Sequence, residues 1–137
     1  MVSRFALAVI LLASPALAAT QAEINATLGG DAEIWSGLRS LAMADEIRNT
    51  CPTLEAREWN ARFLVVELYN SARAHGFSRQ EIRAFQRADS TETRMRAEVM
   101  DYFAQHGVRE GDAQTYCALG LAEIAAGSQA GELLRAR

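Results

Sequence analysis

Residues 77–85 read Phe77-Ser78-Arg79-Gln80-Glu81-Ile82-Arg83-Ala84-Phe85, and this stretch carries the clearest folding signal in the chain. Ser78 and Glu81 stand three apart, the spacing of a capping box. In that motif the serine oxygen takes the N3 amide and the glutamate reaches back to the N-cap amide. Phe77 and Ile82 occupy the two positions of a hydrophobic staple, and Phe85 prolongs the same apolar stripe. The stretch predicts a helix that opens at Ser78 and buries one face. Just upstream, Gly76 is placed to stop the preceding helix in a left-handed conformation. Just downstream, Asp89-x-x-Glu92 repeats the capping spacing, so a break is expected near Ala88 to Ser90.

The same signals recur in both directions. Thr20-x-x-Glu23 predicts a capped short helix that stops at Gly29-Gly30, and Asp31 then caps a second, with Ile34, Leu38, Leu41, Ala42 and Ile47 on one face. Cys51-Pro52 ends it, because proline disfavours a helical residue ahead of it. Thr53 is read as the start of the longest helix, running to about His75. Its residues Leu54, Ala61, Val65, Leu68, Tyr69 and Ala72 share one face, and Trp59, Phe63 and Val66 lie on the other. A helix apolar on two sides is expected at the centre of a bundle. Met95, Val99, Tyr102, Phe103 and His106 predict a further helix ending at Gly107. Asp112 opens the next, whose face holds Ala113, Cys117, Gly120, Leu121 and Ile124. Gly120 beside Cys117 suggests close backbone approach. Gln129 to Arg135 reads as a short terminal helix closing on Leu133 and Leu134. Strand signals are nearly absent, so the expected fold class is all-α: about five helices plus short terminal ones. Two His-Gly corners, at His75-Gly76 and His106-Gly107, echo one another without amounting to a duplication.

The chain has 137 residues, 50% of them apolar, and a formal charge of −3; all 14 basic residues are Arg. That length suits one domain, and the mild acidity argues against a nucleic-acid partner. Without lysine there is no Schiff-base or P-loop chemistry. Met1 to Ala18 has the three parts of a signal peptide: Arg4, the apolar run Phe5 to Ala13, and Ala16-Leu17-Ala18 as the cleavage pattern. Nine apolar residues rise about 14 Å as a helix, half a bilayer core, so cleavage after Ala18 is expected rather than anchoring. The expected organisation is thus a signal peptide over 1–18, an N-terminal segment over 19–30 and a single helical domain over 31–137. The mature chain would hold 119 residues, 13 Arg against 17 acidic groups, and no further membrane span. Twenty-one of those residues are Ala, so the core is thin in large side chains.

Export to an oxidising compartment makes a disulfide the expected state of Cys51 and Cys117, the only two cysteines. It would close a loop of 67 residues, worth about 4 kcal/mol by loop-closure entropy. A redox pair would normally sit as C-x-x-C, and thiolate metal binding would need further ligands nearby. No metal or cofactor is expected.

Two segments carry a family resemblance. Ala44-Asp45-Glu46-Ile47-Arg48-x-x-Cys51-Pro52 resembles the first half of an uncharacterised family of short secreted alphaproteobacterial proteins, known only as a domain of unknown function. Gly111-Asp112-x-x-x-Tyr116-Cys117-x-x-Gly120-x-x-Glu123-Ile124-Ala125, followed by Ser128 to Leu134, resembles its second half. The resemblance implies a disulfide-linked helical domain and export, and it brings no activity with it.

Chemistry-bearing residues are few. His75 and His106 are candidate general bases or metal ligands, but a histidine in the last turn also suits the negative end of the helix dipole. His106 lies on the apolar stripe, which favours a core position. The carboxylates Asp45-Glu46, Glu55 with Glu58, and Glu98 with Asp101 read as solvated faces, with Arg39, Arg48, Arg57, Arg62 and Arg94 at hand for ion pairs. Asp45, near the apolar stripe, is expected to form a partly buried pair with Arg48 beside the disulfide. Nucleophile elbows, zinc motifs and phosphate loops are missing. The expected function is therefore a periplasmic binding or accessory protein of the cell envelope, not an enzyme, with a protein partner. The alternatives are a chaperone activated by acid and a small envelope-acting hydrolase.

Overall fold

A computed structural model describes residues 17–137. The signal peptide read over Met1 to Ala18 therefore lies, up to residue 16, outside the described residues. Seven helices occur among the described residues: α1 (Gln21–Gly30), α2 (Ala32–Thr50), α3 (Glu58–Ala74), α4 (Arg79–Arg87), α5 (Asp89–Gln105), α6 (Ala113–Ala126) and α7 (Gln129–Glu132). Two three-residue strands, β1 (Leu54–Ala56) and β2 (Leu134–Ala136), pair antiparallel. Cys51 and Cys117 are bonded, with Cα atoms 5.1 Å apart. The fold is all-α, stapled by this disulfide.

Local signals place most helix ends. Thr20 with Glu23 and Ser78 with Glu81 both form complete capping boxes. Asp31 accepts from the amides of Glu33 and Ile34 at the start of α2. The break at Ala88 is where expected, yet Asp89 does not make it. Ala88 is at once the C-cap of α4 and the N-cap of α5, with no side-chain bond. Similarly, Asp112 stands at the N-cap of α6, but its carboxylate turns to Arg109 at 2.8 Å.

The central element is α2, which packs against α1, α3, α5, α6, α7 and β1. It is also the longest, at 19 residues, so the expectation that the helix ending near His75 would be longest and innermost is corrected. On α3 only Leu64, Leu68 and Ala72 are buried; Trp59, Phe63, Val65 and Val66 face outward. Period alone records two apolar faces and cannot say which of them is covered.

The other correction concerns Thr53 to Arg57, which does not open a helix. Leu54-Glu55-Ala56 pairs with Leu134-Arg135-Ala136, register Glu55 to Arg135. The pairing is extended by amide bonds from Arg57 to Leu133 at 2.7 Å and from Arg137 to Thr53 at 3.0 Å. The terminal helix accordingly stops at Glu132. Both strands carry one pattern, Leu54-Glu55-Ala56-Arg57 and Leu134-Arg135-Ala136-Arg137. This is period-two alternation, too short to register as a strand in isolation. The leucines are wholly buried, and the charged residues are left at the surface.

The core divides into two regions. One surrounds the disulfide and holds Ile47, Leu54, Leu68, Val99, Phe103, Tyr116 and Leu134. The other, at the α1–α4 end, holds Ile24, Leu28, Ile34, Trp35, Ile82 and Phe85. Leu38 and Met95 touch both. Between them, Arg94 lays its guanidinium 3.7 Å over the Trp35 ring and donates to the Gly29 carbonyl. Glu98 accepts from the Trp35 indole at 2.8 Å and from Arg94 at 2.9 Å. The Trp35 bond, ahead of Arg94, holds the Glu98 carboxyl below its ordinary pKa. Among the described residues no helix is long and apolar enough to cross a membrane.

Candidate functional site

The residues singled out in the sequence do not converge. His75, at the end of α3, is exposed and sets Nε2 2.9 Å from Asp31 Oδ2. The Asp31 carboxyl is held low first by the Ile34 amide and then by this contact. His75 therefore completes the cap of α2. Asp45 stands fourteen residue steps along α2 from its N-cap Asp31, about 21 Å along the axis, so His75 lies far from Asp45.

His106 is not in the core. It is exposed, stacks on Tyr102 with ring centres 3.9 Å apart, and sets Nδ1 against the Tyr102 carbonyl. Asp45 and Arg48 do pair, at 2.6 Å, but with side chains 57% and 44% exposed the pair is a surface one. Surface pairs of this kind contribute little to stability, so the expected buried pin beside the disulfide is corrected. Among the described residues no three His, Cys, Asp or Glu side chains are grouped to hold a metal ion.

Among the described residues the buried carboxylate is Glu123, 6% exposed. Tyr102 and Ser128 both donate hydroxyl bonds to it, while Ser128 Oγ accepts from the Gly131 amide as the cap of α7. The Glu123 bond, with burial behind it, pushes the Tyr102 phenol up to about 12. Gly131 packs directly on the Glu123 carbonyl, and Gly120 lets Leu54 and Ile47 come against α6. The second motif quoted for the family is thus a folding corner: its glycines admit α7 and β1, and its Glu and Ser bond to each other.

A cleft of about 700 Å³ opens where the two strands meet the start of α3. Four guanidinium groups line it, Arg48, Arg57, Arg135 and Arg137, against two carboxylates, Glu55 and Glu58, with Trp59 on its wall. Arg135 is paired across the strands with Glu55 at 2.6 Å, and Arg48 with Asp45. Arg57 gives Nε to the Leu134 carbonyl. The contact from Arg137 Nε to the Leu54 carbonyl is long, at 3.4 Å. Neither Arg57 nor Arg137 has a carboxylate within 4.0 Å among the described residues. Arg57 occupies the N-cap of α3 and makes no capping bond, so the first-turn amides lack a side-chain partner.

From this cleft an apolar ridge runs along α3. Trp59, Phe63 and Val66, spaced four and three apart, are 69%, 70% and 56% exposed. Arg62 lies 5.4 Å from the Trp59 ring centre. At its far end, Val65 and Val66 border a second cleft of about 420 Å³, largely apolar, beside Leu38, Tyr69 and Ile82. Sequence reading placed Trp59, Phe63 and Val66 correctly on one face but expected that face to be covered. It missed the basic cleft because Arg57 and Arg135 lie 78 positions apart and meet only through the strand pairing. The alternating Leu-charged-Ala-Arg pattern was the available signal.

A family model described as "Family of unknown function (DUF5333)" matches residues 26–135. No curated protein and no solved structure matches the chain.

Proposed function

The chain belongs to this family, and on that premise we propose that it is a small exported binding or accessory protein of the cell envelope, without catalysis of its own, acting through the outer face of α3. The exposed Trp59–Phe63–Val66 ridge carries the reading. Each such side chain left in water forgoes about 1.5–3 kcal/mol of burial. Three of them in line on one helix are a recurrent mark of a surface that is covered by a partner. Export is supported by the bonded cysteines, which suit an oxidising compartment, and by the leader pattern of Met1 to Ala18.

The proposal is tested by placing a photo-crosslinking residue at position 63, with position 114, exposed on α6, as control. The expected result is a discrete protein adduct from position 63 and none from 114, on a protein whose N-terminus is Ala19. Equal labelling from the two positions would refute the reading of α3, and an N-terminus at Met1 would refute export.

A further inference from the structure

We propose that the basic cleft and the α3 ridge together receive one acidic, amphipathic segment of a partner protein, with its carboxylates in the cleft and its apolar side chains on the ridge. This rests on the reading of α3 as a docking face and adds the chemistry of what docks. Four guanidinium groups line the cleft; Arg135 and Arg48 are already held by Glu55 and Asp45, which leaves two to meet a ligand. Arg57 and Arg137 enter it with no carboxylate partner among the described residues. A guanidinium presents a planar fork that fits a carboxylate in bidentate fashion. The uncapped start of α3 adds the positive end of a 17-residue helix on the same side.

Continuity decides the class of occupant. Trp59 is both a wall of the cleft and the first member of the ridge. A ligand that fills both must carry anionic and apolar groups within a short span, as a polypeptide does. From Trp59 to Val66 the ridge is about 10 Å long, so a helical segment of about twelve residues, roughly 18 Å, would span ridge and cleft. An anionic bilayer or a nucleic acid would extend past the cleft and meet the acidic remainder of the chain, where like charges repel.

The test uses the exported, oxidised protein and a labelled peptide of about twelve residues, with Glu in its first half and Leu and Phe in its second. Its counterpart has every Glu replaced by Gln. Fluorescence anisotropy is expected to show the Glu peptide binding roughly tenfold tighter at low salt, a preference that shrinks as salt screens the charges. The pair Arg57→Gln with Arg137→Gln should reduce the Glu peptide to the level of the Gln peptide. Arg137→Gln alone, whose side chain makes one long hydrogen bond inside the fold among the described residues, should remove part of the preference with no change in melting temperature. Equal binding of the two peptides, lost in Trp59→Ala with Phe63→Ala, would overturn the acidic specificity and leave the ridge standing. Binding of neither peptide would overturn this proposal, while cross-linking at position 63 still judges the ridge on its own. Tighter binding to anionic phospholipid vesicles or to single-stranded DNA would overturn the choice of occupant.

Discussion

Replacing Gly131 by alanine is the sharpest test of the α6–α7 corner. A Cβ on residue 131 would sit 2.1 Å from the Glu123 carbonyl oxygen, 2.3 Å from its carbon and 2.7 Å from the Ile124 nitrogen. Non-bonded heavy atoms settle at about 3.5–4.0 Å, so α7 must retreat by more than about 1 Å. The obstacle is helix backbone, which cannot rotate aside. Overpacking typically costs about 1–3 kcal/mol. The retreat also strains the Ser128 cap, whose oxygen holds the Gly131 amide at 3.0 Å. Losing that cap costs a further ~1 kcal/mol, and a helix-propensity gain of about 1 kcal/mol stands against it, leaving a net loss of about 1–3 kcal/mol. Two other glycines calibrate the argument. At Gly120 the new methyl would meet Leu54 Cδ1 at 2.4 Å and Ile47 Cγ2 at 2.8 Å. Leu54 Cδ1 is a side-chain end that can turn, while Ile47 Cγ2 is a branch methyl held by its helix, so overpacking less the same propensity gain should leave about 0.5–2 kcal/mol lost. At Gly30 nothing lies within 4 Å, and alanine should add about 0.5–1 kcal/mol. Urea unfolding of the oxidised proteins reads all three. The order expected from most to least stable is Gly30→Ala, wild type, Gly120→Ala, Gly131→Ala. A Gly131→Ala protein within 1 kcal/mol of wild type would refute the packing argument.

Four further outcomes follow from other parts of the molecule. Reducing the disulfide, or replacing Cys51 and Cys117 by Ser, should cost about 4 kcal/mol for a separation of 66 residues, read as the shift in urea midpoint with and without reductant. Trp59→Ser and Phe63→Ser should each change stability by less than about 0.5 kcal/mol, whereas Phe103→Ala should cost about 3–5 kcal/mol; equal losses would return α3 to the interior. Tyr102 should titrate near 12 in the wild type and lower than that in Glu123→Gln, where the negative charge is gone and burial remains, followed by phenolate absorbance. Because its folded pKa is raised, its contribution is complete below about pH 10 and disappears as pH climbs to about 12. At the acid end, the lowered carboxyls of Asp31 and Glu98 contribute above the unfolded carboxylate value, about 4, and lose that contribution as pH falls below it. Asp31→Asn and Glu98→Gln should flatten the fall in melting temperature there, and an unchanged pH profile would contradict both assignments.

Helix boundaries were legible wherever neighbours in sequence decide them. The Thr20–Glu23 and Ser78–Glu81 boxes each bring a side chain to an amide three residues away, and no distant contact is needed to close them. The break at Ala88 was also legible, though through backbone direction and not through an Asp89 cap. His106 shows where this kind of reading stops. Its position on the stripe of Met95, Val99 and Phe103 suggested burial, but it is the C-cap of α5, one turn past Phe103, and is left exposed. Glu123 shows the reverse: a charged residue inside, because Tyr102 from α5 and Ser128 from the next turn both reach it.

Caps, breaks, the pairing of Cys51 with Cys117 and the all-helical class were thus contained in the chain's local order and composition. Which face of α3 is covered, and that four scattered arginines share a cleft, were not. These outcomes depend on α2 taking the central place, and on Leu54 and Leu134 being buried side by side, which pairs segments 80 residues apart. Burial is a free energy of contact with whatever else has folded nearby. Spacing along one helix can say which residues lie together, and only the neighbours can say which are left facing water.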